Sequence, residues 1–405
     1  MSSSGRPNIP SEPGAASPTG VIPLSDPVLE GYESRYLQEC VATNWVSSAG
    51  PFVDRFEAEF AAFVGSEHAV AVSSGTAAIH LALLAAGVQP DDEVVVPSLT
   101  FIAPANAVRY VLAWPVILDV DPDSWQLSPS TVADFLDNRC ETSAGELRNL
   151  KTGRRVSAIL PVHILGHPVD MDPIMRLAEK HSLSIIEDST ESLGASYGRR
   201  SAGTIGNIGC FSFNGNKLIT TGGGGMVVTN DAALASRVRY LSTQAKDDPL
   251  EYIHGEVGYN YRLTNIQAAL GVAQLAQIDG FIQAKHAIAE RYAAAFASLE
   301  GVTLMPDAPW ADRMPWLYTI LVEPNAFGMS GRNVIAKLRD ARIQARPLWE
   351  PLHLSEAHAA DERVECPVAE SLYERAISLP SSSNLTQSDQ ELVIARVSEC
   401  SRVAS

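Results

Sequence analysis

The sequence has few cysteines and no long apolar run. Its five cysteines, Cys40, Cys140, Cys210, Cys366 and Cys400, are an odd number and no two have CxxC spacing. A disulfide framework is therefore not expected, which favours a reducing compartment. No apolar run approaches the ~20 residues that span a bilayer. Residues 1–20 are rich in Ser, Gly and Pro and lack the apolar core of a secretory signal. We predict a disordered tail there and a cytoplasmic protein without membrane segments.

Positive charge is also scarce. The 405 residues include 30 Lys and Arg against 47 Asp and Glu, and the formal net charge is -17. This acidic excess argues against a nucleic-acid-binding protein, although local charge in a cleft still decides whether an anionic substrate binds. With 46% hydrophobic residues, a chain of this length is expected to bury a large core in two or three domains.

Two common classes of ligand motif are missing. There is no GxGxxG or GxxxxGK[ST], and Gly203, Gly206 and Gly209 have the wrong spacing for a dinucleotide or P-loop site. His163 and His167 are four residues apart but lie across a predicted strand end, so the geometry of a helical metal site is not expected. We predict no metal site.

Apolar segments of strand length alternate with helical ones over the first 245 residues. The pattern predicts strands at 69–72, 93–96, 114–120, 156–162, 183–186, 209–213 and 225–229, and helices at 53–64, 77–86, 103–111, 130–136 and 174–181. This rhythm is typical of an α/β fold with a doubly wound, mostly parallel sheet. We assign residues 21–245 to this large domain.

The pattern changes after residue 245. A long helical stretch at 264–299 is followed by a strand at 316–322 and a helix at 334–339. We predict a smaller α+β domain over residues 246–405.

Polar clusters follow several of the predicted strands, where open α/β sheets bind ligands. Ser73-Ser74-Gly75-Thr76 lies at a strand-to-helix turn. Its N–H groups and hydroxyls are suited to a phosphate, or Ser74 or Thr76 is an ordinary helix N-cap. Asp188 ends another apolar run. It is a candidate helix cap, a salt-bridge partner, or the carboxylate that holds a protonated heterocyclic nitrogen, as pyridoxal phosphate (PLP) requires.

The most informative residue is Lys217, which is followed by the run Gly222 to Gly225. Four glycines carry a large entropic cost and are expected where the backbone turns beside a bulky ligand. Lys217 is then a candidate Schiff-base nucleophile, and the alternative is a surface lysine beside a flexible hairpin. The other five lysines are predicted in polar, helix-like or loop contexts. Ser212, on the preceding strand, offers a second hydroxyl for a phosphate.

A further cluster precedes the long helical stretch at Tyr259-Asn260-Tyr261-Arg262. It is either a solvated loop with aromatic anchors or an amide and a guanidinium suited to phosphate.

In combination these motifs resemble the DegT/DnrJ/StrS family of PLP-dependent nucleotide-sugar aminotransferases, which have the aspartate aminotransferase fold (PLP fold type I). The resemblance runs from Ile22 to Leu379. It rests on Ser74-Gly75-Thr76, Pro97 to Phe101, Glu187-Asp188, Phe211-Ser212-Phe213 with Lys217, the glycine run and Gly258 to Arg262.

The resemblance implies a role for each site residue. Lys217 would hold PLP as a Schiff base and then move protons, and Asp188 would pair with the pyridine nitrogen. Gly75, Thr76 and Ser212 would hold the phosphate. Phe101 would lie over the cofactor ring.

The same resemblance implies roles for three further residues. Asn260 would reach the phosphate from the partner subunit of a homodimer with shared active sites, and Arg262 would contact anionic substrate or the other subunit. Glu191 stands where many relatives carry Gln or His, and we assign it to the cofactor.

The loop around Lys217 is most similar to a subgroup that aminates C4 of nucleotide-linked 4-keto-6-deoxy-N-acetylhexosamines, on routes to bacillosamine or legionaminic acid. We expect a UDP- or GDP-linked substrate, glutamate as amino donor and ping-pong kinetics. Two alternatives are a sugar dehydratase, whose relatives replace the lysine with histidine, and a non-catalytic sugar-nucleotide sensor, which needs neither Lys217 nor Asp188.

Overall fold

The fold is taken from a computed structural model, which describes residues 20–248 and 250–401. The predicted tail at 1–20 lies outside this range except for Gly20.

The described part of the chain contains strands in five sheets. They are β1 (His68–Val72), β2 (Glu93–Pro97), β3 (Trp114–Leu118), β4 (Cys140–Ser143), β5 (Glu146–Asn149), β6 (Val156–Ile159), β7 (Ser184–Asp188), β8 (Ser196–Tyr197), β9 (Arg200–Ser201), β10 (Ile208–Ser212), β11 (Gly225–Thr229), β12 (Lys246–Asp248), β13 (Ile253–His254), β14 (Val302–Thr303), β15 (Ala311–Asp312), β16 (Tyr318–Val322), β17 (Glu362–Arg363) and β18 (Ala376–Leu379).

Helices cover and connect these strands. They are α1 (Glu33–Ala42), α2 (Pro51–Val64), α3 (Gly75–Ala85), α4 (Ala103–Tyr110), α5 (Pro129–Asn138), α6 (Met171–His181), α7 (Ala232–Ser242), α8 (Asn265–Leu275), α9 (Ile278–Phe296), α10 (Pro324–Phe327), α11 (Gly331–Asp340), α12 (Pro367–Arg375) and α13 (Gln387–Ser398).

The large sheet has eight strands in the order β1-β11-β10-β7-β6-β2-β3-β17. The strands from β10 to β17 pair in parallel, whereas β11 pairs antiparallel with both β10 and β1. Every residue of β2 is buried, as expected for a parallel strand covered on both faces. The structure confirms the predicted α/β fold with a mostly parallel sheet.

Side-chain caps fix where several helices begin. Ser74 Oγ accepts a hydrogen bond from the backbone N–H of Ala77 at the start of α3, and Asp231 caps α7 in the same way. Thr264 and Gln267 form a capping box at the start of α8. These caps satisfy N–H groups that have no partner within the helix.

The predicted continuous helical stretch at 264–299 is wrong in one respect, because it forms two helices with a break at Ala276 and Gln277. The side-chain amide of Gln277 donates to Glu33 Oε1 at 2.8 Å. This contact joins the break to α1, far away in sequence, and no proline or glycine marks it.

The C-terminal region contributes to two parts of the molecule. Strands β14, β16 and β18 form a separate antiparallel sheet, but β17 joins the edge of the large sheet beside β3. Helix α8 packs against α1 and α2. The domain boundary at residues 245 and 246 remains a prediction.

All five cysteines are buried free thiols. Among the described helices, none combines the length and the apolar character required to cross a membrane.

Candidate active site

A cavity of about 260 Å³ opens where β7 and β10 end and α3 begins. Seven of the nine predicted site residues line it: Gly75, Thr76, Phe101, Asp188, Glu191, Ser212 and Lys217. Residues from separate parts of the sequence meet here because parallel strands place their carboxyl ends at one edge of the sheet.

The Lys217 side chain points into this cavity and is 13% exposed. Its Nζ lies 4.1 Å from the centroid of the Trp316 ring and 3.6 Å from Glu191 Oε1. An indole face and a carboxylate both stabilise an ammonium group. The amine is therefore held in place, unlike that of a freely solvated surface lysine.

Asp188 is the last residue of β7 and is 2% exposed. Its Oδ1 accepts a hydrogen bond from the backbone N–H of Thr190 at 3.0 Å. Burial raises the pKa of the Asp188 carboxyl, while the Thr190 N–H and the Lys217 charge oppose this shift. A buried carboxylate of this kind is suited to pair with a protonated heterocyclic nitrogen.

Glu191 is a second buried carboxyl in the cavity wall. Its Oε2 accepts a hydrogen bond from the Leu165 backbone N–H at 2.9 Å. Burial raises the pKa of Glu191 to about 7, and the neighbouring Lys217 charge works in the opposite direction. Glu191 can therefore change its protonation state near neutral pH.

The N-terminus of α3 approaches β10 closely. A Cβ on Gly75 would lie 2.8 Å from the Ser212 Cβ, so only glycine allows this contact. Ser74 is the N-cap, which confirms the ordinary reading for that residue. The first N–H groups of α3, with the Thr76 and Ser212 side chains beside them, form an anion-binding arrangement at a helix N-terminus.

The glycine run lines the other side of the cavity through Gly223 and Gly224. Gly222 has a φ of +78°, a conformation that favours glycine. A Cβ on Gly225 would lie 2.5 Å from the backbone oxygen of Ser74. The run thus turns the chain into β11 and lets that strand pass directly against the start of α3.

Asn260 and Arg262 do not line the cavity with the other predicted residues. Both are exposed, and the Arg262 backbone forms a bridge with Val72 that extends the pairing along β1. Within one chain, neither residue is placed beside Lys217.

Several cavity residues were not predicted from the sequence. Trp316 and Trp349 come from the C-terminal region, and Asn214 and Asn216 flank Lys217 in its loop. Thr100 also lines the cavity, and its buried hydroxyl has no hydrogen-bond partner among the described residues. The two asparagines stood beside the lysine in the sequence, but nothing local marked the tryptophans.

A buried polar pair lies behind Asp188. His163 Nδ1 accepts from the Val169 N–H at 3.0 Å, so its Nε2 carries the hydrogen that points to Glu187 Oε2, also at 3.0 Å. Glu187 further accepts from the N–H groups of Gly203, Ile205 and Gly206. These contacts anchor the strand that carries Asp188, and they engage both nitrogens of His163 within the protein.

The donor set fits PLP on three observations. Lys217 would offer an amine to the aldehyde carbon, Asp188 would offer a buried carboxylate to the pyridine nitrogen, and the start of α3 would offer N–H groups to the phosphate. The buried Thr100 hydroxyl leaves one further donor facing the cavity.

Comparison with known proteins agrees with this arrangement. Residues 28–398 match the DegT/DnrJ/EryC1/StrS aminotransferase family. The chain is 39% identical over 377 residues to the putative pyridoxal phosphate-dependent aminotransferase EpsN of Bacillus subtilis, covering 92% of this chain and 94% of that protein. It is also 39% identical over 379 residues to a GDP-perosamine synthase of Caulobacter vibrioides, covering 93% and 98%.

A solved structure of a related protein also has this fold. The S. venezuelae protein DesV, in complex with a ketimine intermediate, superposes with a TM-score of 0.80 at 34% identity, covering 91% of this chain and 93% of DesV. From the family match, the relatives and this structure we conclude that the chain is a PLP-dependent enzyme that belongs to the DegT/DnrJ/EryC1/StrS aminotransferase family.

Proposed function

We propose that this aminotransferase moves the amino group of glutamate to C4 of a nucleotide-linked 4-keto-6-deoxy sugar. The observation that carries the proposal is the placement of Lys217 and Asp188 in one cavity, beside the N-terminus of α3. A dehydratase of this fold would have histidine at position 217, and a sensor would need neither residue.

Asp188 would hold the pyridine ring through its buried carboxylate and would keep the ring nitrogen protonated. With that proton in place, the bound cofactor supplies an electron sink for the bond broken at the amino acid. The Thr190 N–H orients the carboxylate, and the His163–Glu187 pair anchors the strand behind it.

Lys217 moves the proton. Its Nζ takes the proton from the α-carbon of glutamate and, in the second half-reaction, delivers one to the sugar carbon that receives nitrogen. Both half-reactions use one amine in one cavity, which gives ping-pong kinetics. Glu191, 3.6 Å away, adjusts the charge around this amine as the proton moves.

Phosphate and ring contacts complete the site. Gly75, Thr76 and Ser212 hold the phosphate at the start of α3. Phe101, which is 54% exposed and lines the cavity, would lie over the cofactor ring. Glu191 would contact the ring from the cavity wall.

The nucleotide sugar is proposed from two independent sources. The Asn214 to Lys217 loop resembles enzymes that act on N-acetylhexosamine nucleotides, which favours a UDP- or GDP-linked 4-keto-6-deoxy-N-acetylglucosamine. Relatives of 39% and 38% identity are named GDP-perosamine synthases, which favours GDP as the first nucleotide to test.

A homodimer would supply the groups that the single chain lacks. Lys217 is the only cationic side chain lining the cavity within the described residues. Asn260 and Arg262 are exposed at the edge of the sheet, and large apolar side chains nearby, including Tyr252 and Val257, are exposed as well. We propose that these residues meet the partner subunit and that Asn260 reaches the partner's phosphate.

A substrate panel tests the proposal. The purified enzyme is mixed with glutamate and with UDP-, GDP- or dTDP-linked 4-keto-6-deoxy sugars, each with and without the N-acetyl group, and the products are read by mass spectrometry and NMR. The expected product is a 4-amino sugar nucleotide. A panel without any aminated sugar, from an enzyme that does convert glutamate to 2-oxoglutarate, would reject the substrate class and leave the aminotransferase intact.

A further inference from the structure

Lys285 lies inside the protein, in the middle of α9, with only 2% of its surface exposed. The sequence predicted a polar, helix-like or loop context for this residue, and it does lie in a helix, but on a buried face of it. A lysine is almost never fully buried unless its amine is paired. Its partners therefore indicate what it does.

The Lys285 amine binds two backbone carbonyls. Nζ donates to the Trp316 oxygen at 2.8 Å and also to the Ser381 oxygen. Among the described residues, no carboxylate forms an ion pair with it. Burial lowers the pKa of Lys285 to about 7. The two carbonyls therefore bind the amine in place of water.

These carbonyls belong to the ends of two paired strands. Trp316 lies two residues before β16, and Ser381 lies two residues after β18. The Ser381 hydroxyl oxygen also accepts from the Tyr318 N–H at 3.0 Å. Lys285 thus joins α9 to the end of this strand pair at which Trp316 lines the active-site cavity.

Trp316, whose backbone oxygen Lys285 binds, also contacts the loop that contains Lys217. Its indole N–H donates to the backbone oxygen of Asn216 at 2.8 Å, and its ring lies 4.1 Å from Lys217 Nζ. The same Asn216 oxygen accepts from the Ser25 hydroxyl at 3.0 Å. One indole therefore contacts both the backbone and the amine of the Lys217 loop.

We infer that Lys285 is a positioning residue, which fixes the main chain at Trp316 and through its indole holds the Lys217 amine in the cavity. The inference rests on the proposed role of Lys217 but concerns the protein before any cofactor binds. A purely structural role would stabilise the fold and leave the amine unaffected.

Trace acetylation of the cofactor-free protein, read for each lysine by mass spectrometry, measures the inferred effect. Lys285→Met should make Lys217 react about three- to fivefold faster, the size expected from loss of one cation–π contact, because the indole no longer holds and shields the amine. The exposed Lys151 and Lys180 are internal standards and should keep their rates. Lys337→Met, the same change on an exposed face of α11, is the matched control and should leave Lys217 unchanged.

Two further variants separate positioning from stability. Lys285→Arg keeps donors for the two carbonyls and should retain the wild-type rate at Lys217. Trp316→Leu, which removes both the indole N–H and the aromatic face, should raise the rate as Lys285→Met does, and the double variant should show no further rise because both changes break one connection.

The inference fails if Lys285→Met lowers the melting temperature but leaves Lys217 acetylation unchanged, or if the double variant multiplies the two single effects. If Lys285→Met does not fold, an unchanged rate in Trp316→Leu is by itself enough to overturn the inference. The acetylation experiment contains neither cofactor nor substrate. A negative result would therefore reject the positioning role of Lys285 without testing the proposed transamination.

Discussion

Glu191 Oε1 lies 3.6 Å from Lys217 Nζ, so a carboxyl whose pKa is raised to about 7 by burial adjoins the proposed catalytic amine. Near neutral pH the protonation state of Glu191 sets the charge around Lys217. This pair links the reactivity of the site and the stability of the protein to pH.

The free energy of unfolding of the cofactor-free protein should depend on pH because of Glu191. A raised folded-state pKa favours the protonated native state, so the contribution of Glu191 is fully present below about pH 4.5 and is lost as pH rises through about 7. Glu191→Gln should therefore gain on the order of 2 kcal/mol relative to wild type between pH 5 and pH 8. Denaturant melts at both pH values measure this gain.

The exposed Glu39→Gln is the control for this comparison and should show no such trend. A pH-independent difference between wild type and Glu191→Gln would contradict the raised pKa. In the loaded enzyme, the same substitution should remove a step near pH 7 from the pH profile of kcat.

Asp188→Asn should bind PLP weakly and turn over slowly, because an amide cannot keep the pyridine nitrogen protonated. Cofactor titration and kcat measure both effects. If Asp188 were only a cap for the Thr190 N–H, the substitution would cost about 1 kcal/mol of stability and preserve the kinetics. Preserved cofactor affinity and kcat would therefore reject its assigned role.

Gly225→Ala should destabilise the protein by about 1–3 kcal/mol, since its Cβ would lie 2.5 Å from the Ser74 backbone oxygen and force α3 away from β11. Gly223→Ala is the matched control, because its Cβ would meet no closer atom than one at 4.0 Å. Thermal melts of the two variants should differ clearly. Equal melting temperatures would mean that the close approach at Gly225 is not required.

The fold was largely predictable because its strongest pattern is local. Apolar strand segments and helical segments alternate up to residue 229, and the structure has strands and helices at the predicted places. The break at Gln277 was not predictable, since a contact with Glu33 of α1 stabilises it. The addition of β17 to the large sheet likewise depends on pairing with β3, far away in sequence.

The site was predictable where residues follow strands. Lys217, Asp188 and Ser212 each stand at or just after a strand end, so the sheet itself brings them together. Trp316 and Lys285 gave no signal, because a lysine in a helix is ordinarily exposed and only tertiary packing buries this one. Asn260 and Arg262 are exposed and do not line this cavity, and the proposed contact of Asn260 with a partner subunit stays a prediction.

The proposed dimer has a complementation test. Lys217→Ala and Asn260→Ala variants, each inactive alone, are mixed and allowed to re-associate. If Asn260 acts across the interface, each mixed dimer contains one site with both changes and one with neither, so activity returns to about one site per heterodimer. Heterodimers that form without regaining activity would place Asn260 in its own subunit's site.

Transfer of nitrogen from glutamate to the sugar through Lys217 is the central claim. The most direct measurement follows ¹⁵N-glutamate and a 4-keto-6-deoxy sugar nucleotide by NMR and mass spectrometry, with Lys217→Ala as the control. We predict ¹⁵N on C4 of the sugar and one 2-oxoglutarate per aminated product, and neither from folded Lys217→Ala. A sugar product without ¹⁵N, or equal amination by Lys217→Ala, would contradict the account.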